Sequence, residues 1–404
     1  MEKLNQKPNF EFVAMMAALM SIVALAIDAI LPAISNIGAA INSTDSTDHQ
    51  LLVTMIFLGL GVGQLFFGPI SDSFGRKPVV YMGFSIFLVA SVICLMAPSL
   101  EVMVVGRILQ GIGLSAPRTI SISIIRDTYE GDYMAKIMSF VTAFFILVPV
   151  VAPAIGKLIL DATGWQGIFY VQMFFVLVVA FWFWKRQQET LHPEYKIPFT
   201  RHVFIDGVKE FVKYRETVAF TLISGLVTGA FLVYLSSAQH IFEDQYALKE
   251  VFPYIFAGLA VSIGLSTFMN GTLVMRFGMR KLSLMATIVF CMVALTYSFL
   301  FLNSPNPSIY VLVGFLSVQF FCLGFMWGNF RSIAMEPIGH IAGIGAAING
   351  FVSTVLSIPI ATFIGDFVKD SVWPLFAGLA ICGMVALALF LLTHLPKRKR
   401  IAAS

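Results

Sequence analysis

Gly68-Pro69-Ile70-Ser71-Asp72-Ser73-Phe74-Gly75-Arg76-Lys77-Pro78 is a short polar interruption between two long apolar runs. The segment Gly271-Thr272-Leu273-Val274-Met275-Arg276-Phe277-Gly278-Met279-Arg280 lies 203 residues further on, half the length of the chain. It repeats the glycine, the Phe-Gly pair and the second basic position. A unit present twice, with its turns in matching places, organises the rest of the reading. Outward from these two loops, apolar runs bounded by charges and turn residues give twelve spans. They fall at roughly 10–35, 51–71, 78–98, 102–125, 136–159, 166–185, 217–240, 252–275, 282–303, 308–334, 342–365 and 373–394.

Composition agrees. The 404 residues are 58% hydrophobic and 12% charged, with a mean hydropathy of +0.87. Soluble domains carry about 25% charged residues, so this chain has too little charge to cover a water-facing surface. A soluble enzyme, a nucleic-acid binder and a disordered chain are excluded on that ground. Twelve spans of about 20 residues each fill most of the length. The runs are too long and unbroken for a membrane β-barrel, whose strands alternate over about 10 residues. The first run lacks a small-residue cleavage site, so no cleavable signal peptide is expected.

Charge placement sets the orientation. With both termini cytoplasmic, 20 Lys and Arg residues fall on the inner side and two, Lys249 and Lys369, on the outer. Arg107, Arg118, Lys157 and Arg331 fall within spans. Such a bias is the positive-inside pattern and demands an even number of crossings. The expected architecture is an all-α integral membrane protein with twelve transmembrane helices in two pseudo-symmetric six-helix bundles, 1–187 and 217–404. A polar, basic cytoplasmic linker, 188–216, separates them, with 204–214 as a short amphipathic helix on the inner surface. Two six-span halves related by an axis along the membrane normal are a transporter architecture.

Several residues carry chemistry. Asp28 is the one acid well inside a span, where a charge costs roughly 2.5–3.5 kcal/mol on insertion scales. Arg107 lies at a similar depth in the fourth span. Arg118 follows 11 residues later, about three turns on and on the same helix face. Glycines 59, 63, 111 and 113 read as small-residue helix packing. The four cysteines read as small core residues. The six histidines are scattered, so no metal site is expected, and no phosphate-binding loop appears, so ATP does not drive the protein directly.

The loop at 68–78 resembles the signature loop of the major facilitator superfamily. Arg107-Ile108-Leu109-Gln110-Gly111 resembles the arginine motif of its proton-driven members. Ala116-Pro117-Arg118 through Arg126-Asp127, Gly164-Trp165-Gln166 and Ala342 through Gly350 resemble the Bcr/CflA branch of drug:proton antiporters. Pro149-Val-Val-Ala152-Pro153-Ala-Ile-Gly156-Lys157 resembles the antiporter motif, with Ala152 and Lys157 in place of glycines.

The resemblance implies a monomeric, proton-coupled antiporter of the bacterial inner membrane. It would export small organic molecules or drugs by alternating access, with protons as co-substrate, lipids around it, no other cofactor and no enzymatic activity. It implies Asp28 and Arg107 as a proton-switching pair that meets between spans 1 and 4, and Gly68, Asp72, Gly75, Arg76 and Lys77 as a conformational latch. Arg76 and Lys77 are expected at the inner headgroup level, and Pro153 and Gly156 as part of the outer seal. Arg118 is open between a ligand for a substrate acceptor and an inner-gate bond. Tyr234, Gln239, Gln319, Asn329 and Asn349 are cavity candidates, each open between ligand contact and interhelical hydrogen bond. The alternative cargo is a dedicated anionic or zwitterionic metabolite such as a siderophore, motivated by Arg118.

Overall fold

The computed structural model describes residues 10–43, 46–129, 131–192, 194, 196, 201–302 and 304–394. The N-terminal half holds α1 (Phe10–Asp28), α2 (Ile34–Ala40), α3 (Ser46–Phe74), α4 (Arg76–Leu95), α5 (Leu100–Thr128), α6 (Gly131–Thr163) and α7 (Trp165–Arg186). A short helix α8 (Arg201–Lys213) leads to α9 (Arg215–Gln239), α10 (Phe252–Phe277), α11 (Met279–Leu300), α12 (Ile309–Met335), α13 (Ala342–Gly365) and α14 (Trp373–His394). In a bilayer a spanning backbone must satisfy its own polar groups, which is why apolar runs of this length form helices. Eleven stretches among the described residues are long and apolar enough to cross a membrane. Helix α6, 33 residues long, also has the length to cross. The chain is a multi-pass membrane protein.

The Phe-Gly repeat sets two matching turns. Gly75 has φ +110° and begins the turn into α4; Gly278 has φ +79° and does the same for α11. Both conformations suit a residue without Cβ. Helix α5 packs along α3, α4 and α1, and α12 packs along α10, α11 and α9. The halves meet along two seams, α3 against α13 and α6 against α10.

The α3–α5 contact is backbone against backbone. A Cβ on Gly111 would lie 2.8 Å from Leu60 N and 2.9 Å from Gly59 Cα. This close approach confirms the packing expected from the small-residue spacing.

At the end away from the basic loops the halves are tied together. Gln50 Nε2 of α3 donates to Gly365 O at 3.3 Å, Gln239 Nε2 to Pro32 O at 3.3 Å, and Lys157 Nζ lies 3.4 Å from a Glu250 carboxylate oxygen. Towards the basic end the interior opens. Ile122 and Arg126, on the face of α5 below Arg118, are exposed, as are Gly328, Arg331 and Ser332 of α12. We take these exposed faces of α5 and α12, below the tied end, as a vestibule open at the basic end.

Substituting Gly111 by valine should drive α3 and α5 apart and cost about 1–3 kcal/mol of overpacking, read as a lower apparent Tm in detergent. Gly271→Val, at a site where a Cβ meets nothing within 4 Å, should leave the Tm in place. Equal Tm values for the two variants would contradict the close approach.

Candidate functional site

The first span breaks beside Asp28. Helix α1 ends there, a 3-10 turn covers Leu31–Ala33, and α2 resumes at Ile34. Pro32 has no N–H to continue an α-helix, and carbonyls near such a break need protein donors because the bilayer supplies no water. Side chains from three other helices provide them. Gln172 Nε2 of α7 donates to Leu25 O at 3.3 Å. Arg107 of α5 donates from Nη1 and Nη2 to Ala26 O, each at 3.3 Å. Gln239 of α9 reaches Pro32 O from the other half.

Arg107 is fully buried and serves further acceptors. Its Nε donates to Leu52 O of α3 at 2.8 Å, and its Nη1 to Gln110 Oε1 at 2.8 Å. Gln110 in turn donates to Ser91 Oγ of α4 at 2.8 Å. One guanidinium thereby ties α1, α3 and α5 directly and α4 through Gln110. The planar fork of five donors is the reason arginine, and not lysine, suits this place.

The expected contact between Asp28 and Arg107 is corrected here. Among the described residues Asp28 makes no hydrogen bond or ion pair. The guanidinium takes the Ala26 carbonyl two residues earlier. The Asp28 side chain, 5% exposed, instead lies within electrostatic reach of Tyr234 on α9, in the other half. Tyr234 is 1% exposed and its hydroxyl has no partner among the described residues. Phe231, Phe242, Phe256 and Phe320 surround its ring at centroid distances of 4.7–6.5 Å. Helix α6 backs the break: a Cβ on Gly156 would collide with Ala29 O and lie 3.0 Å from Ala29 Cα. Pro149 and Pro153 stand in α6 within the two turns before it.

The loop at 68–78 is held from within its own half. Arg76 is 3% exposed, with Nη1 2.5 Å from Asp72 Oδ1 and 2.7 Å from Ser71 Oγ, and Nε 2.8 Å from Asp127 Oδ2. Lys77 Nζ donates to Gln187 O at 2.5 Å, just past the C-terminus of α7. Arg76 is thus paired inside the protein and Lys77 caps the end of α7, which satisfies their charge locally.

Glu189, which the sequence reading passed over, caps α4. Its Oε1 accepts from Arg76 N at 2.9 Å and its Oε2 from Lys77 N at 3.0 Å. Desolvation pushes its carboxyl up, but backbone donations from Leu191, Arg76, Lys77 and Thr190 outweigh that and hold it below the usual carboxylate range. Gly68 stands where a Cβ would meet nothing within 4 Å. In the second copy Met275 is exposed, and Arg280 pairs with Glu216 and, at 3.0 Å, with Glu336.

The remaining polar candidates divide. Asn329 and Asn270 exchange amide hydrogen bonds at 2.9 and 3.1 Å between α12 and α10. Gln319 donates to Phe290 O of α11 at 3.1 Å, and Asn349 to Thr221 Oγ1 of α9 at 2.7 Å. All three are buried and bridge helices. Arg118 is half-buried beside the vestibule, its guanidinium carbon 5.9 Å from the centre of the Phe145 ring. Arg331, which the sequence reading only noted as lying within a span, stands exposed on the facing helix α12.

The sequence profile described as "Major Facilitator Superfamily" matches residues 14–362. A bicyclomycin resistance protein homolog of Haemophilus influenzae is 25% identical over 399 residues, covering 96% of this chain and 98% of that protein. The multidrug resistance protein MdtL of Klebsiella pneumoniae is 25% identical over 378 residues, 92% of each chain. Among solved structures, a D-xylose-proton symporter shares the fold with a TM-score of 0.71 at 14% identity, over 94% of this chain and 97% of that one.

Removing the fork of Arg107 leaves carbonyls on α1 and α3 without their donor, at about 1–3 kcal/mol for each buried group. Arg107→Lys should therefore lose apparent Tm nearly as much as Arg107→Gln, because one ammonium cannot serve acceptors on α1, α3 and α5 together. A wild-type Tm for Arg107→Lys would show that charge alone holds the break.

Proposed function

Because this chain belongs to the Major Facilitator Superfamily, we propose that it exports small organic molecules across a bacterial inner membrane in exchange for protons, by alternating access. The superfamily makes it a membrane transporter of small molecules; direction, proton coupling and cargo are the finer reading. The observation that carries that reading is the place of Asp28. This unpaired carboxylate stands beside the break in the first span and faces the other half, at the closed end of a vestibule open at the other. The kinship with bicyclomycin and multidrug resistance proteins supports efflux as the direction.

The mechanism follows from the cost of burying charge. An ionised carboxylate without a partner is expensive inside protein or lipid. The seam around Pro32, Gln239 and Tyr234 closes readily over a neutral acid and reluctantly over an anion. A proton arriving at Asp28 from outside thus favours closure of the outer end and opening inwards. Its loss to the cytoplasm favours the reverse, so each proton entering returns the carrier for another outward passage of cargo. Two bundles rocking about a midplane site give the alternation. A proton crossing 100 mV supplies about 2.3 kcal/mol, so no ATP or other cofactor is required. In this reading the protein works as a monomer, and the basic end with both termini lies in the cytoplasm.

The latch fits the same cycle. In this inward-open arrangement Asp72 is spent on Arg76 in its own half. When the inner ends approach, that carboxylate is placed to meet helix ends of the other half.

Asp28→Asn removes the titrating group without removing a hydrogen bond. In proteoliposomes carrying a pH gradient, cargo-triggered proton movement should fall to background in this variant, with Tm unchanged. Wild-type proton movement in Asp28→Asn would refute the role of Asp28.

A further inference from the structure

Of the three arginines within spans, Arg118 and Arg331 remain once the Arg107 clamp is accounted for. The Arg118 guanidinium lies over the Phe145 ring and, among the described residues, makes no hydrogen bond or ion pair. Among the described residues Arg331 on α12 is likewise without a hydrogen bond or ion pair. The two belong to opposite halves of the chain, yet they stand at the same place. Gly63 of α3 packs on Ser115, one turn before Arg118. Its neighbour Gln64 reaches across to Gly350 of α13, where a Cβ would collide with Gln64 Oε1 and lie 3.5 Å from Arg331 Nη2. The two guanidiniums are near enough for the charge of Arg331 to act on Arg118. Arg331 is exposed although these neighbours belong to the interior seam, so its open side faces the vestibule and not the lipid.

Unpaired charges at membrane depth are costly, and those that persist mark sites for charged or polar ligands. Two cations facing each other without an acid form an incomplete ion cluster. We propose that Arg118 and Arg331 together bind the carboxylate of an organic acid, which is the cargo class of this transporter, with the acid's apolar body against Phe145. A planar carboxylate has two oxygens, one for each guanidinium fork. The inference rests on the transport reading above and specifies its substrate.

The pair also gives the cargo control over the conformational change. Like charges on opposite halves repel, and closing the basic end brings them together. An empty vestibule therefore resists closure, whereas a carboxylate between the two arginines accepts hydrogen bonds from both and removes the opposition. A carrier whose basic end closes more readily when loaded favours exchange over empty cycling, on top of the bias that Asp28 sets.

The test uses the full-length protein in detergent, with 2-naphthoate, its neutral counterpart 2-naphthamide, and inorganic phosphate as probes. Naphthoate should raise the Tm in a saturable way and the amide should not. The half-saturating concentration should rise by about tenfold or more in Arg118→Gln and in Arg331→Gln. Arg118→Lys and Arg331→Lys, which keep the charge, should hold an intermediate affinity and extend the test to a site whose glutamine variant does not fold. Equal stabilisation by acid and amide, stabilisation by neither, or unchanged affinity in the variants overturns the proposal. Phosphate acting as strongly as naphthoate also overturns it, by showing a bare oxyanion site. Proton movement triggered by neutral cargo with no preference for the acid removes this inference and keeps the exchanger. Acid binding at both arginines without proton movement removes the exchanger and keeps the site.

Discussion

A backbone carbonyl inside a bilayer must find a donor in the protein, and the break in the first span puts this requirement at the centre of the molecule. Helix α1 stops at Asp28, Pro32 prevents its continuation, and Leu25, Ala26 and Pro32 turn their carbonyls to Gln172, Arg107 and Gln239. The first two donors gather the N-terminal helices around the break; the third comes from the other half and seals one end. The titratable carboxylate, the buried clamp and the interface between halves are thus neighbours for one physical reason. Whatever moves Gln239 away from Pro32 opens that end and changes the surroundings of Asp28 together.

The two copies of the Phe-Gly loop solve a shared problem with different side chains. In the first, Arg76 is neutralised by Asp72 and by Asp127 at the end of α5. In the second the intrahelical acid is lost to Met275, but Arg280 still reaches Glu336 just past the end of α12, with Glu216 at the start of α9 as its other partner. Both keep a basic residue bridging to the basic end of the span that carries a vestibule arginine, α5 with Arg118 and α12 with Arg331. The repeat therefore extends from turn geometry to the placement of charge.

The spans were legible because the bilayer demands long apolar runs, and the paired turns because a positive φ favours glycine at Gly75 and Gly278. Asp28, Arg107 and Arg118 stood out through the cost of charge at depth. Their partners did not. The acceptors of Arg107 are backbone carbonyls exposed by a helix break, and residue letters carry no mark of a carbonyl. Gln172 is a lone polar residue in an apolar run, and Gln239 was a cavity candidate open between ligand contact and interhelical bond; in neither case does the sequence say which helix it faces. Gln319, Asn329 and Asn349 have the same composition signal as a ligand site and proved to be bonds between helices. Arg331 was visible as a fourth cation within a span, but its meeting with Arg118, 213 residues away in sequence, depends on how the two halves are docked.

The central claim is that the protonation of Asp28 decides which end of the vestibule is closed. Spin labels at Phe74 and Met275, both exposed near the basic end, report its opening directly. The four native cysteines are buried, which directs labelling to introduced sites. Pulsed electron spin resonance distances, recorded from acid to alkaline pH in lipid nanodiscs, should pass from a long to a short separation as pH rises. Asp28→Asn should stay at the long separation throughout. A separation that ignores pH, or one that shifts equally in Asp28→Asn, would contradict the account.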